Sequence, residues 1–163
     1  MAYWLLKSEP DEFSIDDLER GGNRTEPWNG VRNYQARNML RDGMRKDDRA
    51  FFYHSSCEQP AIVGIVEIAS AAYPDLSAFD PRSNYHDSGS DPDHPRWFAV
   101  DVKIRRRLRR PVTLGELRSH RALAKMPLLQ RGNRLSVMPV TRQEWDFILG
   151  LERKGGGWVA NKK

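Results

Sequence analysis

Several features that mark common chemistries are missing from this sequence. Cys57 is the only cysteine among 163 residues, so no intrachain disulfide can form and no cysteine zinc centre can be built. That usage fits a reducing compartment. No run approaches the roughly 20 apolar residues of a membrane helix, and the start, MAYWLLKSEPDEF, turns acidic too early for a secretory signal. A cytoplasmic chain without membrane association is the expectation. There is no P-loop, no dinucleotide-binding glycine pattern and no Gly-X-Ser-X-Gly elbow. These absences argue against nucleotide hydrolysis, a Rossmann cofactor site and the common serine-hydrolase design. No cofactor is expected.

What is present is a globular composition with a wet surface: 39% hydrophobic, 10% aromatic and 30% charged residues. The 27 Lys and Arg exceed the 22 Asp and Glu, giving a net charge of +5. Such a balance favours polyanionic partners, provided the basic residues gather on one side. The length suits one buried core, so a single domain over 1–151 is expected, and as a monomer. Residues 152–163, with three successive glycines and a final Lys-Lys, read as a flexible tail.

Tyr3 to Leu6 reads as a buried opening strand. Ser14 and Asp17 have capping-box spacing before Leu18, as do Thr113 with Glu116 and Thr141 with Glu144, which predicts three helices. A further helix is expected over Asn33 to Arg41, stopped by Gly43. Ala50 to His54 and Ala61 to Ala72 read as a hairpin, and Arg134 to Val140 as a short strand. In the long strand expected over Trp97 to Leu108, apolar residues alternate with Lys103, Arg105, Arg107 and then Arg109, a basic stripe. Residues 80–95 are polar and rich in turn formers, so a long surface loop is expected there.

The candidate chemistry is sparse. His86, Asp87, Asp91, Asp93 and His94 carry metal-ligating groups, but on a loop with no supporting cluster, so a solvated loop is the better reading and no metal site is expected. His54 is followed by Ser55, Ser56 and Cys57 without a recognisable orienting group, so it either meets a ligand or satisfies nearby backbone. Arg37 and Arg41 are four apart on one helix face, either a phosphate contact or a solvated face. The richest cluster is Trp28 to Arg37, where an indole precedes Asn29 and Gly30 in a turn; Trp28 could equally be core.

Taken together, YWLLKSEP at 3–10, WNGVRNYQARN at 28–38, FFYHS at 51–55, VGIVE at 63–67, PRWFAVDV at 95–102 and RLSV at 134–137 resemble the EVE domain. The blocks run in order over nearly the whole chain. The resemblance implies an α+β, PUA-like fold, a partly closed β-barrel with helices packed around it, and a non-catalytic module for nucleic acid carrying a modified base. It implies a base-binding pocket from Lys7, Ser8, Trp28, Asn29, Gly30, Val31, Tyr53, His54 and Ser55, closed by Trp97, Leu135, Ser136 and Val137. Phosphates would then meet Arg32, Arg37 and Arg41, with the stripe of Lys103, Arg105, Arg107 and Arg109. Two other classes stay open: an enzyme acting on nucleic acid or a small anion in the same pocket, and a protein-interaction module using a basic surface.

Overall fold

Alternation along strand β1 (Tyr3–Ser8) divides the molecule into two cores. Trp4 and Leu6 enter one, with Ile15, Leu18, Trp28 and Phe52; Leu5 enters the other, with Phe51, Leu117, Trp145 and Ile148. A sheet with successive side chains on opposite faces and both faces covered requires this pattern. The computed structural model describes residues 1–154, and the greater part of the expected tail lies outside the described residues.

Helix α1 (Ile15–Arg20), strand β2 (Glu26–Trp28) and helix α2 (Tyr34–Asn38) lie in the crossover from β1 to strand β3 (Arg49–His54). That connection lets β3 pair parallel with β1, placing Leu5 opposite Phe51 and Ser8 opposite His54. Strand β4 (Ala61–Ile68) returns antiparallel to β3, as the hairpin pattern predicts. Next follow the short β5 (Tyr73–Pro74), the 16-residue β6 (Phe98–Thr113), helix α3 (Leu114–Arg118), β7 (Val137–Val140) and helix α4 (Arg142–Glu152). The sheet order is β2-β6-β4-β3-β1-β7, with β5 also on β6.

The capping signals act locally. Ser14 accepts from the Asp17 amide while Asp17 accepts from the Ser14 amide, and Thr141 with Glu144 repeats the arrangement. Thr113 caps α3 in the same way, but the Glu116 carboxylate turns instead to Arg110, at 2.7 Å. The helix expected over Asn33 to Arg41 is shorter than that: after Asn38 the chain widens into a π turn at Met39–Gly43, and a Cβ on Gly43 would stand 2.9 Å from the Trp4 ring. Helix α4 runs to Glu152, which is buried, pairs with Arg106 and accepts the Arg109 amide at 2.6 Å. The helix therefore extends one residue past 151.

The basic stripe of β6 is broken by irregular register. Pairing with β4 shifts between Ile62 and Gly64 and again between Ile65 and Val66. An extra residue at a bulge turns the following side chains over. Ile104 accordingly packs on the first core and Leu108 in the second. Arg105 pairs with Glu67, whereas Arg107 faces α1 and pairs with Asp16 and Glu19. The stripe is thus divided between the two faces of the sheet.

Candidate functional site

Where β1 and β3 end side by side, the loops after them and the β2–α2 connection enclose a cavity of about 720 Å³. Lys7, Ser8, Trp28, Asn29, Gly30, Val31, Arg32, Ser55 and Ser136, all named from the sequence, border it. Its size falls within the range of small-molecule sites.

Trp28 does not sit in an exposed turn. It ends β2, opposite Val100 of β6, and only 7% of its surface is exposed. Its indole meets Phe52 edge-on at 5.5 Å and Phe13 at 6.3 Å, so it is at once core and cavity wall. The following loop is held from below by Asp75, a buried carboxylate just before a 3₁₀ turn at Leu76–Phe79. Asp75 accepts the Gly30 amide at 2.8 Å and Arg32 Nη1 at 3.0 Å. Burial opposes the charge on Asp75, but bonds from Ser77, Gly30 and Arg32 outweigh it and hold the carboxyl below its ordinary value.

Arg32 is a strut. Besides Asp75 it bonds the carbonyls of Val31 and Tyr85 and the Ser77 hydroxyl, and it lies over the Trp97 ring at 5.5 Å. A guanidinium so fully engaged has little left for a phosphate, so the expected phosphate role does not fit its geometry. Trp97 itself stands behind the loop, stacked on Tyr34 at 4.8 Å with its indole N–H donated to Asp87 Oδ2 at 2.7 Å. It does not border the cavity.

His54 also lies outside the cavity lining. The Ile15 amide donates to its Nε2 at 3.1 Å, so the ring supports the start of α1. Burial lowers its pKa, and the neutral ring is the form that can accept this bond. Leu135 packs against both cores and Val137 is buried in the first, so neither reaches the cavity; Ser136, between them, does.

A second cavity of about 390 Å³ adjoins the first, and Lys7, Ser55 and Ser56 border both. Tyr53 belongs to this one, its phenol pushed up to about 12 chiefly by burial. Burial also holds the Lys7 ammonium below the usual lysine value. Ser8 donates its hydroxyl to the Phe13 carbonyl at 2.6 Å, which leaves its oxygen as an acceptor for any occupant.

Sequence reasoning missed Glu9, Glu12, Phe13, Pro27, Ser56, Arg134 and Tyr85 at the larger cavity. Tyr85 comes from the 80–95 loop, which is tied down rather than loose. Its hydroxyl donates to Glu12 at 2.8 Å, and burial together with Glu12 pushes its pKa up to about 12. Ser56 has a left-handed backbone, φ 53°, uncommon for a residue with a side chain. No sequence signal distinguished it.

Four of the remaining cations expected at phosphates, Arg37, Arg41, Arg105 and Arg107, have protein partners. Arg37 bonds the Arg96 carbonyl at 2.7 Å and lies over Tyr34; Arg41 pairs with Asp42 at 2.8 Å and lies over Phe98. Arg105 and Arg107 pair as described, and none of these, nor Lys103 or Arg109, borders either cavity. Among the described residues there is no cluster of His, Cys, Asp and Glu that could hold a metal ion, and no helix is long and apolar enough to cross a membrane.

A curled mixed sheet covered by helices, with a cavity opening where parallel strands end, defines an α+β, PUA-like domain. The EVE domain family model matches residues 2–151, and the chain belongs to that family. Thymocyte nuclear protein 1 of Gallus gallus is 44% identical over 170 residues, covering 94% of this chain and 69% of its own. A crystal structure of a Pseudomonas putida protein is 53% identical with a TM-score of 0.89, covering 93% of this chain and 99% of that one. The human THYN1 protein, crystallised in complex with DNA containing 5-methylcytosine, is 41% identical with a TM-score of 0.90 and covers 95% of this chain and 99% of that one.

Proposed function

We propose that this protein is a non-catalytic module that holds one flipped, modified base of a nucleic acid in the larger cavity, against Trp28. The observation that carries this reading is the convergence of Trp28, Asn29, Gly30, Lys7, Ser8 and Ser55 on one cavity of about 720 Å³. The human relative bound to 5-methylcytosine DNA supports a modified base as the ligand.

The physics of the site sets its mode of action. Extracting a base from a duplex costs a few kcal/mol, and stacking on an aromatic wall returns about 1–3 kcal/mol. Single strands and weakened pairs should therefore bind more readily than intact duplexes. A buried methyl contributes about 0.8 kcal/mol, roughly fourfold, so sharper selectivity must come from polar groups that test the modified edge. Ser8, as an acceptor, Asn29 and Lys7 are the groups placed to do so.

The enzymatic reading loses its strongest candidate, because His54 Nε2 accepts the Ile15 amide and lies away from the cavity. The interaction-module reading leaves the cavity unexplained.

The test is binding of single- and double-stranded oligonucleotides with 5-methylcytosine or cytosine at one position. The expected result is tighter binding of the methylated single strand. Equal binding of methylated and unmethylated strands, repeated with other modified bases, would reject the reading.

A further inference from the structure

The excess positive charge of this protein is concentrated in one segment. Between Leu117 and Gln143 the chain has Arg118, Arg121, Lys125, Arg131, Arg134 and Arg142 and no acidic residue. The whole chain carries a net charge of +5, so the remainder is close to neutral. Among the cations expected at phosphates, Arg41, Arg105 and Arg107 pair with carboxylates, whereas in this segment only Arg142 forms an ion pair among the described residues.

Position adds to the charge. Arg118 and Arg131 border the smaller cavity and Arg134 the larger, while Lys7 lies on the wall common to both. All three arginines are exposed, and these four cations form no ion pair among the described residues. The loop that carries Arg131 and Arg134 is braced. Gln130 donates to the carbonyls of Ala124 and Met126, at 2.9 and 3.1 Å, and Asn133 donates to the Pro127 carbonyl and accepts the Leu135 amide at 2.8 Å. Rigid presentation reduces the entropy lost when an arginine fixes a ligand.

We propose that the smaller cavity with Lys7, Arg118 and Arg131, continued by Arg134 at the larger one, forms the phosphate track of the site, holding the sugar-phosphate backbone next to the base inserted in the larger cavity. This inference rests on the proposed base-binding role and names the surface that would hold the strand. The two cavities share a wall, so a strand with one base in the first lays its neighbouring phosphates over the second. Arginine suits that task because its planar fork matches phosphate oxygens in pairs. The surface is sequence-independent, since phosphates carry no base identity.

The experiment uses the full chain and two doubly substituted variants, Arg118→Gln/Arg131→Gln and Arg37→Gln/Arg41→Gln. Binding of single strands with 5-methylcytosine or cytosine is followed over a series of salt concentrations, alongside binding of free 5-methyl-2′-deoxycytidine, which has no phosphate. For Arg118→Gln/Arg131→Gln the slope of log K against log salt should fall by about 1.4, the value for two phosphates on a single strand. The ratio of methylated to unmethylated affinity and the nucleoside affinity should stay as in the wild type. An unchanged slope, or an equal loss in the Arg37→Gln/Arg41→Gln variant, would overturn the proposal. If wild-type protein shows no base preference and the slope still falls, the base reading fails and the phosphate track stands. Both arginines are exposed, so an unchanged melting temperature separates lost contacts from lost fold.

Discussion

The ring of Tyr85 lies directly on Gly30. Gly30 has φ 83°, and a Cβ built there would stand 2.7 Å from Tyr85 Cε1. Residue 30 must therefore lack a side chain twice over, once for its backbone and once for the ring above it. The contact joins the 80–95 loop to the loop after Trp28, and both border the larger cavity.

Gly30→Ala should destabilise the fold by about 1–2 kcal/mol from the left-handed backbone alone, and should weaken base-dependent binding tenfold or more by displacing Tyr85. Adding Tyr85→Ala removes the clash but not the backbone cost. A double-mutant cycle read by thermal melting should accordingly show positive coupling between the two positions; additive effects would count against the contact.

Trp28→Ala is expected to cost about 3–5 kcal/mol, as for a large aromatic in a packed core, because the indole meets Phe13 and Phe52. Trp28→Phe preserves more of that packing and is the better probe of binding. It should remain folded by circular dichroism and lose several-fold affinity for methylated strands, with the salt slope unchanged.

His54→Ala should cost about 1–3 kcal/mol, since it leaves the Ile15 amide without its acceptor. In the unfolded chain the imidazole titrates near its ordinary value of 6.5, and burial lowers it in the fold. Between those two values the unfolded chain binds more protons. Stability from this group is thus complete above about 6.5 and declines as pH falls through the lowered folded value. Urea unfolding across that range should show the decline in wild type and its loss in His54→Ala.

Arg32→Ala should cost about 3 kcal/mol, because Asp75 is buried and keeps its charge partly through Arg32. Oligonucleotide titrations on protein stabilised at low temperature should give a salt slope equal to wild type. A reduced slope would restore Arg32 as a phosphate contact.

Several features were legible because their causes lie within a few residues. The caps at Ser14, Thr113 and Thr141 need only a hydroxyl and an amide three positions on, and all three form. The hairpin of β3 and β4 needs only two apolar runs and a turn. Other features depend on distant partners. The three-residue β2 contains Pro27 and carries no strand pattern; it exists because Val100 and Val102 of β6 present an edge to it. Tyr85 looked like one polar-loop residue among many until Glu12, Arg32 and Gly30 met it from elsewhere in the chain.

By itself, the sequence determined the family, the order of the principal elements and the block of residues around Trp28 that borders the cavity, because periodicity, capping and contiguous motifs are local properties. Only the tertiary structure decided what each polar group is free to do. His54 and Arg32 carry suitable chemistry but are engaged by the Ile15 amide and by Asp75, while Arg131 and Arg134 lie at the two cavities without an ion pair among the described residues. Availability of a charge or a lone pair depends on what packs against it, and those neighbours are set by long-range contacts.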